Sequence, residues 1–386
     1  MLDDFVPFHI PDIGEEEIAA VEAVLRSTWI TTGPKVRRFE SEFAQYLGVR
    51  RAVAVNSCTA ALHLALEAIG IQEGDEVIVP TITFAATAEV VTYLRARPIL
   101  VECDSETANL DPDEVAKAVT TRTKAVIPVH YAGQACDMAS IGAIAERHHL
   151  KVVEDAAHAV PARFQGRMVG TFGDVAAFSF YSTKTLTTGE GGMAATGNDE
   201  YADRMRMMSL HGISSDAWKR YTAEGSWYYE ITAPGFKYNM SDIQAALGLV
   251  QLSRADAMWK RRAQIAETYT RELRECPAIR PPVCLPNRQH AWHLYAIRLG
   301  LEELRIDRRQ FIEELKLRNI GTSVHFIPLH RHPYYRDTYG YNAESFPRSE
   351  AYYACCISLP IYPGMTDGTV GRVVEAIWEI ARQFRR

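Results

Sequence analysis

The stretch Arg51–Ile69, RAVAVNSCTAALHLALEAI, decides the architecture. Arg51–Val55, RAVAV, is apolar after its arginine and carries two valines, and reads as a strand. A polar break, Asn56–Thr59, follows, and Thr59–Ile69 then places Ala and Leu at helical spacing. The same couplet recurs downstream. Glu76–Val79 reads as a strand and Thr83–Leu94 as a helix. Ile99–Val101 and Ala125–Val129 read as strands, Met138–His149 as a helix, and Lys151–Glu154 and Val175–Phe178 as two further strands. Strand and helix in alternation predict a mostly parallel sheet with helices on both faces. The rhythm stops near Ser241. There Ser241-Asp242 caps a long helical stretch, Ile243 to about Leu273. A proline-rich break follows (Pro277, Pro281, Pro282, Pro286), then a strand (Trp292–Leu299), a helix (Arg308–Arg318), a strand (Thr322–His325) and a helix from Asp367. The reading is an α/β protein with a large domain, 1–255, and a smaller α+β C-terminal domain, 256–386.

The length of 386 residues suits that division. The formal charge of −6, with no Lys/Arg block, argues against nucleic acid or a membrane surface as partner. Seven cysteines, an odd number with no C-x-x-C pair, read as reduced thiols and not as a metal site. The N-terminus lacks the basic and apolar segments of a secretory signal, and no apolar run has transmembrane length. The expectation is a cytoplasmic protein.

Four segments carry chemistry. Phe178–Met193, FSFYSTKTLTTGEGGM, places Lys184 in a loop of hydroxyls and glycines. Alone it is a surface lysine. Its neighbours allow close backbone approach at Gly189, Gly191 and Gly192, and offer hydroxyls at Ser179, Ser182 and Thr183. Val153–Ala159, VEDAAHA, puts Asp155 just past a parallel strand, where open α/β sheets bind ligands. Alone it is a helix cap, and His158 a packed core histidine. Asn56–Thr59 opens a helix, whose free N–H groups suit an anion; capping by Ser57 or Thr59 explains the same residues. Phe84, in Pro80–Ala86, follows a strand end and is either a core aromatic or a face for a planar ring. Together, a lysine for a carbonyl, an acid for a pyridine nitrogen, an aromatic for the ring face and hydroxyls for a phosphate form the set that pyridoxal phosphate requires.

That set resembles the DegT-type nucleotide-sugar aminotransferases, which belong to the aspartate aminotransferase superfamily. The resemblance covers nearly the whole chain. It includes Trp29–Gly33 with Phe39-Glu40, Gly235–Leu247, Trp292–Tyr295, Val324–His330 and Ser358–Pro363. It implies that Lys184 carries pyridoxal 5'-phosphate as a Schiff base and shuttles protons. It also implies that Asp155 faces the pyridine nitrogen, His158 the phenolic oxygen and Phe84 the ring face. Cys58, Thr59 and Ser179 hold the phosphate, and Lys237 or Asn239 reaches the phosphate of a neighbouring subunit in a homodimer. Two departures matter: many members have Gly where Cys58 stands, and Asn-Tyr-Arg where Lys237-Tyr238-Asn239 stands. His158, Pro234–Met240 and His211-Gly212 are similar to members that aminate 4-keto sugars, including the enzyme forming UDP-4-amino-4-deoxy-L-arabinose. The implied substrates are a nucleotide-linked keto-sugar and an amino-acid donor, glutamate; His325 and His330 lie where the smaller domain would close on the nucleotide, and as packing histidines they would need no substrate. A 3-keto-sugar aminotransferase, another enzyme with the same cofactor, and a non-catalytic sensor on the same fold are the alternatives.

Overall fold

The computed structural model describes residues 5–213 and 228–386. Two helices, α1 (Glu15–Ser27) and α2 (Pro34–Leu47), lead into strand β1 (Arg51–Val55). Then come α3 (Cys58–Ala68), β2 (Glu76–Pro80), α4 (Ala86–Tyr93), β3 (Arg97–Val101), α5 (Pro112–Ala118), β4 (Thr123–Val126), α6 (Met138–His148) and β5 (Lys151–Asp155). A small ribbon, β6 (Arg163–Phe164) and β7 (Arg167–Met168), precedes β8 (Val175–Ser179), β9 (Gly192–Thr196) and α7 (Asp199–Met208). The C-terminal part holds α8 (Asp242–Leu273), β10 (Ile279–Arg280), β11 (Arg288–Gln289), β12 (Tyr295–Leu299), α9 (Arg308–Leu317), α10 (Pro333–Tyr339), α11 (Pro347–Cys355), β13 (Cys356–Leu359) and α12 (Asp367–Gln383).

The main sheet has seven strands in the order β1-β9-β8-β5-β4-β2-β3. Pairing is parallel from β8 through β5, β4 and β2 to β3, and β9 is antiparallel to both of its neighbours. β2 is buried along its whole length and is apolar after Glu76 because helices cover both faces. The chain leaves β2 for β3 on one side and returns to β4 on the other. This reversal opens a crevice at the C-terminal ends of β2 and β4.

Several elements differ from the sequence reading. β9 was not anticipated: Gly-Met-Ala-Ala-Thr carries little strand signal, and its pairing with β1 and β8 makes it. The expected strand Ala125–Val129 stops at Val126, two residues before Pro128, which has no N–H to give a ladder. Thr322–His325 is not a strand. Only Ser323 pairs, through hydrogen bonds of 3.1 and 2.8 Å with Ser358. Ser241 does cap α8, accepting from Gln244 N, but Asp242 serves another helix. Its carboxylate accepts from Gly33 N (2.9 Å), Lys35 N (3.1 Å) and Val36 N (3.0 Å) at the start of α2.

Two apolar clusters flank the main sheet, and Leu249 and Leu252 of α8 belong to one of them. A third cluster joins Ile265, Tyr269 and Leu273 of the same helix to β12, β13 and α12. Val6 also lies in this third cluster, tied by Val6 N to Asn319 O (2.8 Å) and Gly321 N to Val6 O (2.8 Å). The first described residues thus pack with the C-terminal part, while β11 pairs with β6 beside the main sheet. Among the described residues no helix is long and apolar enough to cross a membrane.

Candidate active site

The crevice at the strand ends gathers the candidate residues. Asp155 is the last residue of β5 and is buried. Its Oδ2 accepts from Thr87 Oγ1 (2.8 Å), which is itself within 2.7 Å of Thr83 Oγ1, and its Oδ1 accepts from Ala157 N (3.1 Å). Burial pushes the Asp155 carboxyl above the usual range, although the Thr87 and Ala157 hydrogen bonds and Lys184 oppose this. A cation set against it would hold it ionised.

Lys184 lies in the hairpin between β8 and β9. A tight turn, Lys184 N to Tyr181 O (2.9 Å), places it, and Thr188 N to Phe180 O (2.9 Å) and Phe180 N to Gly191 O (2.9 Å) close the loop. Burial lowers the Lys184 amine to about 8, against the opposing pull of Cys58 and Asp155. A substantial share of the amine is therefore neutral near pH 7.5.

His158 sits in a turn after β5, not in a helix. Its Nδ1 accepts from Ala132 N (3.2 Å), so the network assigns the ring proton to Nε2. Burial, then Lys184 and His325, push its pKa well below the ordinary histidine value. His293 lies 4.4 Å away between ring centroids, and Phe326 stacks at 5.9 Å. Phe84 is 62 % exposed and makes a tilted ring contact with Phe326 at 6.1 Å.

At the other end of the crevice, Ser57 caps α3 by accepting from Ala60 N (3.1 Å). The N–H groups of Cys58 and Thr59 keep no acceptor among the described residues. Burial, with the Asp155 charge, raises the Cys58 thiol well above its usual range, so Cys58 offers its backbone N–H and not a thiolate. Gly192 pairs with Ser179 across β8–β9. A Cβ at Gly192 would lie 2.4 Å from Ser57 O and 2.6 Å from Cys58 N. That close approach draws Ser179 to the start of α3. Tyr238 O accepts from Asn56 N (2.7 Å), which sets Lys237 and Asn239 beside the same helix start. Lys237 is exposed and donates to Asn239 Oδ1 (2.6 Å); Asn239 donates to Thr32 Oγ1 (2.7 Å).

The two C-terminal histidines part company. His325 Nδ1 is 2.8 Å from Ser358 Oγ and its ring stacks on Phe8; burial, then Lys184, lowers its pKa to about 4. His330 has both nitrogens engaged within the protein, with Thr81 Oγ1 (2.7 Å) and Glu350 Oε1 (2.7 Å), and Phe346 stacks on it. It ties the loop after β2 to α11 and leaves no nitrogen for a substrate.

The profile of the DegT/DnrJ/EryC1/StrS aminotransferase family matches residues 11–378. The chain belongs to this family. It is 50 % identical to the spore coat polysaccharide biosynthesis protein SpsC of Bacillus subtilis over 379 residues, covering 98 % of this chain and 97 % of SpsC. Spr1654 of Streptococcus pneumoniae, described as a sugar aminotransferase and solved in a PLP-form, superposes with a TM-score of 0.92 at 33 % identity, over 98 % of this chain and 99 % of that one. PseC of Helicobacter pylori, an aminotransferase involved in the biosynthesis of pseudoaminic acid, gives a TM-score of 0.92 at 27 % identity over 99 % of this chain and 100 % of that one.

The protein is thus a pyridoxal-phosphate-dependent sugar aminotransferase with an aspartate aminotransferase-like fold. Its own residues fit the cofactor. A buried acid, an exposed aromatic, unpaired helix N–H groups and a lysine of lowered pKa line one crevice. Sequence reasoning missed Thr87, whose spacing from Thr83 on a helical turn was its available signal. It also gave no role to Phe326 or His293, which reach His158 only through tertiary packing.

Proposed function

We propose that the enzyme moves an amino group from glutamate to a nucleotide-linked 4-keto sugar, with Lys184 as its catalytic residue. When bound, pyridoxal phosphate supplies the electron sink that lets the carbon–hydrogen bond beside the amine break. Lys184 holds the cofactor at rest. Its Nζ, near neutral proton affinity, then takes the proton from the donor's α-carbon and delivers one to the sugar carbon that receives the amine. Asp155 faces the ring nitrogen and keeps it protonated, steadied by Thr87. His158 donates its Nε2–H to the phenolic oxygen. Phe84 covers the ring face. The N–H groups of Cys58 and Thr59 and the Ser179 hydroxyl bind the phosphate, and His325 lies on the substrate side. The observation that carries this reading is the convergence of Lys184, Asp155 and His158 at the C-terminal ends of the central strands β5 and β8, where Asp155 and His158 both feel the Lys184 charge.

The choice of a 4-keto sugar rests on histidine at 158, on the Pro234–Met240 segment and on His211-Gly212. The residues also support a cytoplasmic homodimer: the cysteines are unpaired, and Lys237 stands exposed beside a phosphate-type helix start, with Asn239 next to it. The test is to offer UDP-, dTDP- and GDP-linked 4-keto and 3-keto sugars with glutamate and follow amine transfer by mass spectrometry. Amination of a 4-keto sugar, with 2-oxoglutarate released, is expected. Turnover of 3-keto sugars alone overturns the 4-keto reading. A fully active monomer in sedimentation overturns the shared site.

A further inference from the structure

A buried polar network on the far side of β5 from Asp155 has no part in the functional reading above. Glu154, next to Asp155, points to the opposite face of the strand and is fully buried. Its Oε1 accepts from Phe172 N (2.7 Å) and Gly173 N (2.7 Å). Its Oε2 accepts from Gly170 N (2.8 Å) and lies 3.1 Å from His130 Nε2. Burial raises its pKa, but the hydrogen bonds from His130 and the backbone outweigh this and hold the carboxyl below its usual range. His130 Nδ1 accepts from Cys136 N (3.1 Å), so the ring proton sits on Nε2 and points at Glu154.

His130 begins the turn that touches His158. The turn spans Tyr131–Gly133 and is held from three sides besides the Glu154 contact. Tyr131 N donates to Asn109 Oδ1 (2.9 Å), Ala291 N to Gly133 O (2.8 Å) and Leu294 N to Ala132 O (3.2 Å). Ala132 sits at φ 58° and Gly133 at φ 102°, in the left-handed region that an alanine enters at a cost. A Cβ at Gly133 would lie 2.8 Å from His158 O, so the turn is pressed against the His158 backbone. The product of this geometry is one N–H, that of Ala132, aimed at His158 Nδ1 (3.2 Å).

We infer that Glu154 and His130 are positioning residues that, through the left-handed turn at Ala132, hold His158 as its Nε2–H tautomer, a fixed donor and not a base. A backbone N–H against Nδ1 excludes a proton there, so neither the other tautomer nor the imidazolium forms without breaking that bond. The groups facing His158 reinforce this. Lys184 from the β8–β9 hairpin and His325 oppose a second proton, and His293 offers no carboxylate. Asp155, the nearby acid, is engaged by Thr87 and Ala157. The inference rests on the contact proposed between His158 and the cofactor's phenolic oxygen.

The experiment uses holoenzyme. In wild type labelled with 15N-histidine, with His158 assigned by its loss in His158→Asn, the ring is expected as Nε2–H throughout pH 6–9. An Nδ1–H tautomer, or titration in that window, overturns the inference. The second readout is the pH midpoint of the bound cofactor's visible absorption. His130→Phe, which removes the link to Glu154, is expected to shift this midpoint upward by about one unit as the donor to the phenolic oxygen loosens. His130→Gln, which can still donate to Glu154, is expected to restore most of it. A folded His130→Phe enzyme with the wild-type midpoint, while His158→Asn shifts it, overturns the positioning role alone. A midpoint unmoved even by His158→Asn overturns the His158 contact itself, and the inference with it.

Discussion

The floor and the rim of the crevice are built by different rules. On the floor, Asp155, His158 and Lys184 sit at strand ends or in turns closed by backbone hydrogen bonds, and the oxygens of Asp155 and Nδ1 of His158 have defined partners. On the rim, Phe84 is 62 % exposed, and the Lys237 side chain is exposed and bonds only to Asn239 among the described residues. The floor residues must each hold a particular protonation state, and burial plus directed hydrogen bonds set that state. The rim residues need only supply contact area or charge, which tolerates loose placement. Substitutions on the floor should therefore change the chemistry, and those on the rim mainly the retention of the cofactor.

The largest effect is expected at Lys184. Lys184→Ala should lower turnover by a factor on the order of 10³ or more, since both covalent anchor and proton shuttle are lost. A single-turnover assay with glutamate checks this, and residual turnover within tenfold of wild type would break the floor's primacy. The amine lowered to about 8 also predicts that the apoprotein takes up pyridoxal phosphate faster as pH rises, levelling above about 8, because only the neutral amine attacks. A pH-independent uptake rate would contradict it. Asp155→Asn comes next, with turnover falling by a factor on the order of 10² to 10³ while the protein still binds the cofactor. Loss of binding with no loss of turnover per bound cofactor would move Asp155 to the rim's class.

Phe84→Ala should weaken cofactor retention by about tenfold and leave turnover of the loaded enzyme nearly unchanged, as fits the removal of one stacked face. Equilibrium dialysis against the cofactor reads this directly. The smallest effect belongs to Lys237→Ala, about threefold or less in cofactor affinity and fading at high salt, as for an exposed ion contact. A hundredfold loss there would show that the rim is as tightly specified as the floor.

The same contrast explains what could be read in advance. Asp155 was legible because an apolar run ends in it, and Lys184 because hydroxyls and glycines surround it after another such run. Both signals are local. Thr87 was half-visible through its spacing from Thr83. Nothing local marks His293 or Phe326 as neighbours of His158, since elements far apart in the chain bring them together. Nor does any local signal pair Asp242 with the start of α2, 209 residues before it at Gly33. The parallel sheet followed from the alternation of strands and helices. The antiparallel β9 did not, because its small residues have weak strand preference and the pairing supplies the order. His330 shows the opposite error: a histidine in a motif-like stretch suggested a ligand, and the structure uses both nitrogens as a brace.

Gly192 sets a boundary for anyone who wishes to re-engineer this pocket. Its Cα presses so near the Ser57–Cys58 backbone that even a methyl group meets main-chain atoms within 2.6 Å. Relief would require the edge strand β1 and its helix to pull away from the sheet. A mutational library that randomises position 192 would spend its members on misassembled proteins. One that fixes it and varies the exposed rim would keep the fold while exploring new acceptors.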